Sequence, residues 1–145
     1  MRPLLPLPGA KCYHAATWYD GAMYVFGGLG GNLRFDKSCL KYDAATDSWT
    51  AIAGLPENRG LPAVQTVGDK IYIIGGYSAT NPFTVQRPVL EYDPATDTYT
   101  EKADMLMPIF GAGSFVHNGR IWVLGGGTTA FSTSSNAIQI YDPAL

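Results

Sequence analysis

One nine-residue phrase occurs three times along the chain. Asp20-Gly21-Ala22-Met23-Tyr24-Val25-Phe26-Gly27-Gly28 returns as Gly68-Asp69-Lys70-Ile71-Tyr72-Ile73-Ile74-Gly75-Gly76, and again as Asn118-Gly119-Arg120-Ile121-Trp122-Val123-Leu124-Gly125-Gly126. Gly75 lies 48 residues after Gly27, and Gly125 lies 50 after Gly75. A second phrase follows at the same interval: Tyr42-Asp43-Ala44-Ala45-Thr46-Asp47-Ser48-Trp49-Thr50, then Tyr92-Asp93-Pro94-Ala95-Thr96-Asp97-Thr98-Tyr99-Thr100, then Tyr141-Asp142-Pro143-Ala144. A period of this length marks a chain built from stacked copies of one supersecondary unit, each unable to bury its apolar face alone. Three units, at about 8–53, 54–103 and 104–145, account for the chain beyond residue 7.

Within each unit the punctuation is that of β-structure. Segments 13–19, 61–67 and 111–117 lead into Asp20-Gly21, Gly68-Asp69 and Asn118-Gly119, dipeptides suited to two-residue hairpin turns because Gly, Asn and Asp tolerate positive φ. The apolar runs that follow are too short for helices and rich in β-formers. After each glycine pair comes a variable loop, then a strand closing on Tyr42, Tyr92 or Tyr141. The Asp93-Pro94-Ala95-Thr96-Asp97 segment is strong turn chemistry, and a fourth strand is predicted around 49–52 and 99–102. Four antiparallel strands in about fifty residues, repeated, predict propeller blades.

The apolar run before Gly27-Gly28, Tyr42, and Trp49 seven positions on resemble the kelch motif. The second unit keeps Gly75, Gly76 and Tyr92 with Tyr99 in the Trp position; the third keeps Gly125, Gly126 and Tyr141. The resemblance implies an all-β, kelch-type β-propeller with three four-stranded antiparallel blades. The glycine doublets, Gly27-Gly28, Gly75-Gly76 and Gly125-Gly126, let a strand end bend into backbone angles forbidden to residues with a Cβ, and Tyr42, Trp49, Tyr92, Tyr99 and Tyr141 are expected to pack between adjacent blades. Small Ala15, Ala63 and Gly113 fit a crowded inner strand.

Kelch propellers usually close with six or seven blades, and three would leave two apolar blade faces uncovered. We therefore expect two copies to close a six-bladed ring as a homodimer. Aligned on Pro8 and Pro56, residues 1–7 fall in the register of a fourth strand and are expected to complete the partner's third blade. The alternative is a fragment or engineered half of a longer propeller with no independent activity.

Charge narrows the partners. Ten Lys and Arg against twelve Asp and Glu give a net charge of -2, with no basic surplus for nucleic acid or an anionic membrane. No apolar run suits a membrane span and no signal-peptide core precedes the first prolines, so a soluble, cytoplasmic location is expected. Cys12 and Cys39 are too few for a disulfide framework or a structural zinc site. His14 and His117 sit in different units with no nucleophile at a recognised spacing, and no glycine run completes a phosphate-binding motif. Neither metal nor cofactor is expected.

Function is expected on the loops. Lys11, Arg34, Phe35, Asn58, Arg59, Tyr77, Phe83, Arg87 and Phe131 are the candidate binding residues, since arginines and aromatics are frequent interface anchors. The resemblance implies a non-catalytic scaffold whose loops at one end of the ring bind a protein, a peptide or a small polar ligand. The other class it leaves open is a sugar-related enzyme like the sialic-acid epimerases among bacterial kelch proteins. Glu57, Glu91 and Glu101 are the only glutamates available to it.

Overall fold

The computed structural model describes residues 3–78, 84–129 and 133–145, and among them every regular element is a β-strand. The first blade runs β1 (Ala15–Tyr19), β2 (Ala22–Phe26), β3 (Cys39–Asp43) and β4 (Ser48–Ile52), paired antiparallel in that order. The second repeats it with β5 (Ala63–Val67), β6 (Lys70–Ile74), β7 (Pro88–Asp93) and β8 (Thr98–Asp104). The third has β9 (Gly113–His117), β10 (Arg120–Leu124) and β11 (Ile138–Tyr141), with no fourth strand among the described residues.

The hairpins confirm the turn chemistry. Asp20 and Gly21 have φ of 45° and 76°, and Asn118 and Gly119 have 51° and 71°, two positive angles in succession as a type I′ turn requires. At Gly68-Asp69 the glycine alone is positive, at 61°, which is the II′ arrangement. Between third and fourth strands Asp43 accepts N–H bonds from Ala45 at 2.8 Å and Thr46 at 3.1 Å, and Asp93 accepts one from Ala95 at 2.9 Å.

Each first strand begins two residues later than the sequence pattern predicts. Tyr13, Leu61 and Gly111 have φ of 57°, 54° and 62°, and a left-handed residue interrupts a strand. These residues join the blades instead. Gly111 donates its N–H to the Leu61 carbonyl at 2.8 Å, and Leu61 donates to the Tyr13 carbonyl at 2.7 Å. First strands of adjacent blades also touch, β1 with β5 and β5 with β9. Thr17 and Thr66 hydroxyls meet at 3.0 Å, and Gln65 Nε2 donates to the Ser114 carbonyl at 3.0 Å. The blades therefore fan out from their first strands.

Two cores fill the gaps between blades. Tyr24, Phe26 and Cys39 of the first blade pack against Val64, Ile71, Ile73, Leu90 and Tyr92 of the second. Tyr72, Ile74 and Val89 of the second pack against Ile121 and Val123 of the third. Alternation along every strand sends neighbouring residues to opposite gaps, so a single run such as Ile71-Tyr72-Ile73-Ile74 feeds both cores and is buried throughout. The outward face of the third blade exposes Phe115, Ile138 and Ile140, and the first blade exposes Trp18.

The N-terminal segment enters as the link between two blades does. Leu5 N–H bonds Asp47 Oδ1 at 3.1 Å, and Trp49 Nε1 donates to the Leu5 carbonyl at 3.0 Å. One blade on, Ala53 N–H bonds Asp97 Oδ1 at 2.9 Å and the Tyr99 hydroxyl donates to the Ala53 carbonyl at 2.8 Å.

Candidate protein-interaction face

Antiparallel strands place the loops after the second strands and the links between blades at the same end of the fan. The glycine doublets make this end possible. Gly27 and Gly75 have φ of 59° and 63°, and a Cβ on either would overlap the carbonyl oxygen of Arg59 or Ile109 respectively, so only glycine fits. The second glycine of each pair donates its N–H across the gap, Gly28 to the Arg59 carbonyl and Gly76 to the Ile109 carbonyl, both at 2.9 Å.

The loop after the first doublet is pinned from below. Lys11 Nζ donates to the Gly27 carbonyl at 2.9 Å and to Asp36 Oδ1 at 2.7 Å, with its side chain only 8% exposed. Asp36 also accepts from the Ser38 N–H and hydroxyl. Burial alone would push the Asp36 carboxyl up, but the Lys11 and Ser38 bonds together hold it below its ordinary value. Phe35 lies over Gly60, where a Cβ would overlap its ring. An aromatic row crosses the units here, with centroids 6.4 Å apart for Tyr13 and Phe35, 5.4 Å for Phe35 and Tyr77, and 5.3 Å for Tyr77 and Phe110.

On this base Leu33, Arg34, Phe35 and Asn58 line an open recess of about 350 Å³. Leu33 is 81% exposed, and its φ of 58° projects it from the loop. Arg34 is exposed beside it, its N–H turned to Asn32 Oδ1 at 3.1 Å. Tyr13, also exposed, flanks Phe35.

The structure sorts the loop residues expected from sequence. It brings Arg34, Phe35 and Asn58 together around the recess. Lys11 lies beneath the loop, and Arg59 is buried, with Nη1 donating to the Gly75 carbonyl at 3.1 Å. Tyr77 is buried in the aromatic row. Arg87 is exposed on another loop, where it faces Asp104 at 3.4 Å. Phe83 and Phe131 lie outside the described residues. Sequence reasoning missed Leu33, Tyr13 and Asp36. Two of these take left-handed backbone angles that nothing in a Leu or Tyr announces.

His14 is held below its ordinary pKa by burial and then by nearby Lys11, which favours its neutral form. Burial raises the Cys39 thiol, which lies in the core between the first two blades. Among the described residues no three His, Cys, Asp or Glu side chains group as a metal site would require. Among the same residues no helix is long and apolar enough to cross a membrane.

Two family models described as the kelch motif match residues 10–56 and 58–106. The chain belongs to the kelch-repeat family. Among curated proteins it is 30% identical to "Kelch-like protein terF" of Aspergillus terreus over 96% of the chain and 31% of that protein. It is 31% identical to "Beta-scruin" of Limulus polyphemus over 94% of the chain and 16% of that protein. With "Kelch-like protein 36" of Rattus norvegicus it shares 33% identity over 94% of the chain and 23% of that protein. This kelch chain thus spans less than a third of the length of these relatives. The solved structure described as "Structure of YjhT" superposes with a TM-score of 0.72 at 27% identity, covering 88% of the chain and 37% of that protein.

Proposed function

We propose that the chain is a non-catalytic kelch scaffold that closes to six blades as a homodimer and binds a protein through the loop end of the ring. The observation that carries the binding role is the pinned loop at residues 28–38. It holds Leu33 and Arg34 out in solvent on a base fixed by Lys11, Asp36 and Phe35. An exposed aliphatic and an arginine beside an aromatic recess form a preorganised contact patch, which lowers the entropy lost on docking.

Pairing of copies is supported by the two uncovered blade faces, apolar at Phe115, Ile138 and Ile140 on one and at Trp18 on the other. Each face belongs to a blade side that is buried where blades meet within the chain.

Light scattering on the eluted protein tests the pairing. A species of about twice 15.6 kDa supports it, and a stable 15.6 kDa monomer overturns it. For the loop end, the Leu33→Ser, Arg34→Ala double variant should retain the melting temperature and lose a protein that the parent chain holds in crosslinking. Retention of every such partner by the variant overturns the binding role.

A further inference from the structure

The chain has five asparagines, and Leu, Arg, Pro, Gly and Ala follow Asn32, Asn58, Asn81, Asn118 and Asn136 respectively. The following residue decides whether an asparagine side chain reacts with its own backbone, because that residue's nitrogen is the nucleophile. A proline nitrogen has no proton to give up. A side chain on the following residue crowds the attack, so glycine leaves the nitrogen most open. Asn118 is the asparagine followed by glycine.

The fold sets this pair at a hairpin tip. The ladder between β9 and β10 closes with His117 opposite Arg120, so Asn118 and Gly119 form the whole connection and lie beyond the ladder. Both residues are exposed, and a Cβ built on Gly119 meets nothing within 4 Å. Other asparagines are engaged: Asn32 Oδ1 accepts the Arg34 N–H at 3.1 Å, and Asn58 is half-buried beside the recess.

The first blade carries an acid at the same tip. Asp20 and Gly21 turn with φ of 45° and 76°, against 51° and 71° for Asn118 and Gly119. An aspartate in an ordinary peptide link therefore suits this turn. An isoaspartate does not, since its link runs through the side-chain carbon and adds a backbone atom to a connection defined by two successive positive φ angles. Turn type fixes hairpin register. The strand so registered includes Ser114, whose carbonyl accepts from Gln65 of β5, so loss of the turn reaches the contact between blades.

We propose that Asn118 is a site of spontaneous covalent modification, with water as the only co-reactant. The Gly119 nitrogen loses its proton to solvent base and bonds to Asn118 Cγ. The bond from Cγ to the side-chain nitrogen breaks, ammonia leaves, and a succinimide closes. Water then opens the ring at one of its two carbonyls. Opening at Cγ restores the peptide link and leaves aspartate; opening at the main-chain carbonyl leaves isoaspartate. Closure draws the Gly119 nitrogen onto the side chain, so the tip must first leave its turn, and folding slows the reaction without stopping it.

The test incubates the whole chain at mildly alkaline pH for weeks and follows the tryptic peptide of residues 103–120 by mass spectrometry. The peptide should gain the mass difference between an amide and an acid, and resolve into aspartate and isoaspartate forms that electron-transfer fragmentation tells apart. Conversion at Asn118 should run about tenfold or more ahead of Asn32, Asn58 and Asn136, whose following side chains crowd the attack. It should slow as pH is lowered, and a synthetic peptide of residues 103–120 should convert faster than the chain. Asn118→Gln should stay unmodified over the same period. Asn118→Asp should keep the parent's urea midpoint, while the isoaspartate fraction of the aged parent should unfold at lower urea. An intact Asn118 in the chain after the synthetic peptide has converted overturns the proposal, as does equal conversion at Asn32, Asn58 or Asn136. Equal midpoints for the isoaspartate fraction and the Asn118→Asp variant overturn the effect on the hairpin.

Discussion

Lys11 and Arg59 make the same bond one blade apart. Each sends its charged end down to the carbonyl of the first glycine of a doublet, Lys11 to Gly27 at 2.9 Å and Arg59 to Gly75 at 3.1 Å. Ile109, one unit further on, is buried at the same position without a charge. Two ways of filling one hole show that its volume matters more than its polarity.

The Arg59 position should therefore accept an apolar side chain of similar length. Arg59 is 1% exposed, its Nε has no hydrogen-bond partner, and burial holds its pKa below the usual arginine value. Replacing a buried charge with a well-packed apolar group is often neutral, so Arg59→Met should shift stability by less than ~1 kcal/mol, whereas Arg59→Ala should cost about 3 kcal/mol by leaving a cavity. Urea denaturation of the two variants checks the contrast.

Gly75 and Gly68 share a left-handed φ, at 63° and 61°, but differ in surroundings. A methyl group on Gly75 meets the Ile109 carbonyl, while nothing lies within 4 Å of one on Gly68. Gly68→Ala should cost about 1 kcal/mol from backbone strain alone, and Gly75→Ala about 3 kcal/mol or more because a gap between blades must open. Thermal melts followed by near-ultraviolet circular dichroism read both.

Tyr99 spans the gap between the first two blades, bonding the Ala53 carbonyl at 2.8 Å while its ring packs on Tyr92. Tyr99→Phe should cost about 1 kcal/mol for the lost hydrogen bond. Tyr99→Trp should be better tolerated than Tyr99→Phe, because Trp49 makes the same contact to Leu5 in the first blade. Tyr99→Ala should be the worst of the three, at about 3 kcal/mol. Denaturant midpoints should rank them in that order.

The turn aspartates predict an acid limb. Asp43 and Asp93 are held below their ordinary value of 3.8, chiefly by the backbone N–H groups of Thr46 and Ala95 respectively. Groups depressed in the folded state contribute stability that is complete above the unfolded value and is lost as pH falls through the folded one. Stability should thus hold above about pH 4 and decline below it. Asn at both positions keeps the acceptor oxygen and removes the titration, so the Asp43→Asn, Asp93→Asn variant should show a shallower decline when urea midpoints are measured from pH 2 to 6.

The blades were legible because their signals are local and repeated. Gly27-Gly28, Tyr42 and Trp49 occupy fixed places in a register that recurs, and hairpin dipeptides fix the strand ends. Candidate binding residues were legible only as loop residues, because whether an arginine reaches solvent depends on what lies across the gap. Arg34 projects from the loop after a glycine doublet, while Arg59, in the link between the first two blades, is buried against Gly76. Asp47, Trp49, Asp97 and Tyr99 stand in repeated register in the sequence, but the groups they hold, the Leu5 and Ala53 backbones, come from the segment preceding each blade, which no local pattern announces.

The inner N–H to carbonyl relay, from Gly111 to Leu61 to Tyr13, runs one way around the axis. A chain of such bonds has a donor end and an acceptor end, like a polar filament. Units of this kind can be joined only in a consistent sense, head to tail, and a head-to-head junction would oppose two like backbone groups. Whatever extends the fan at either end must therefore follow the same rotation, which makes blade order a vector quantity written into the backbone and independent of the side chains on the blade faces.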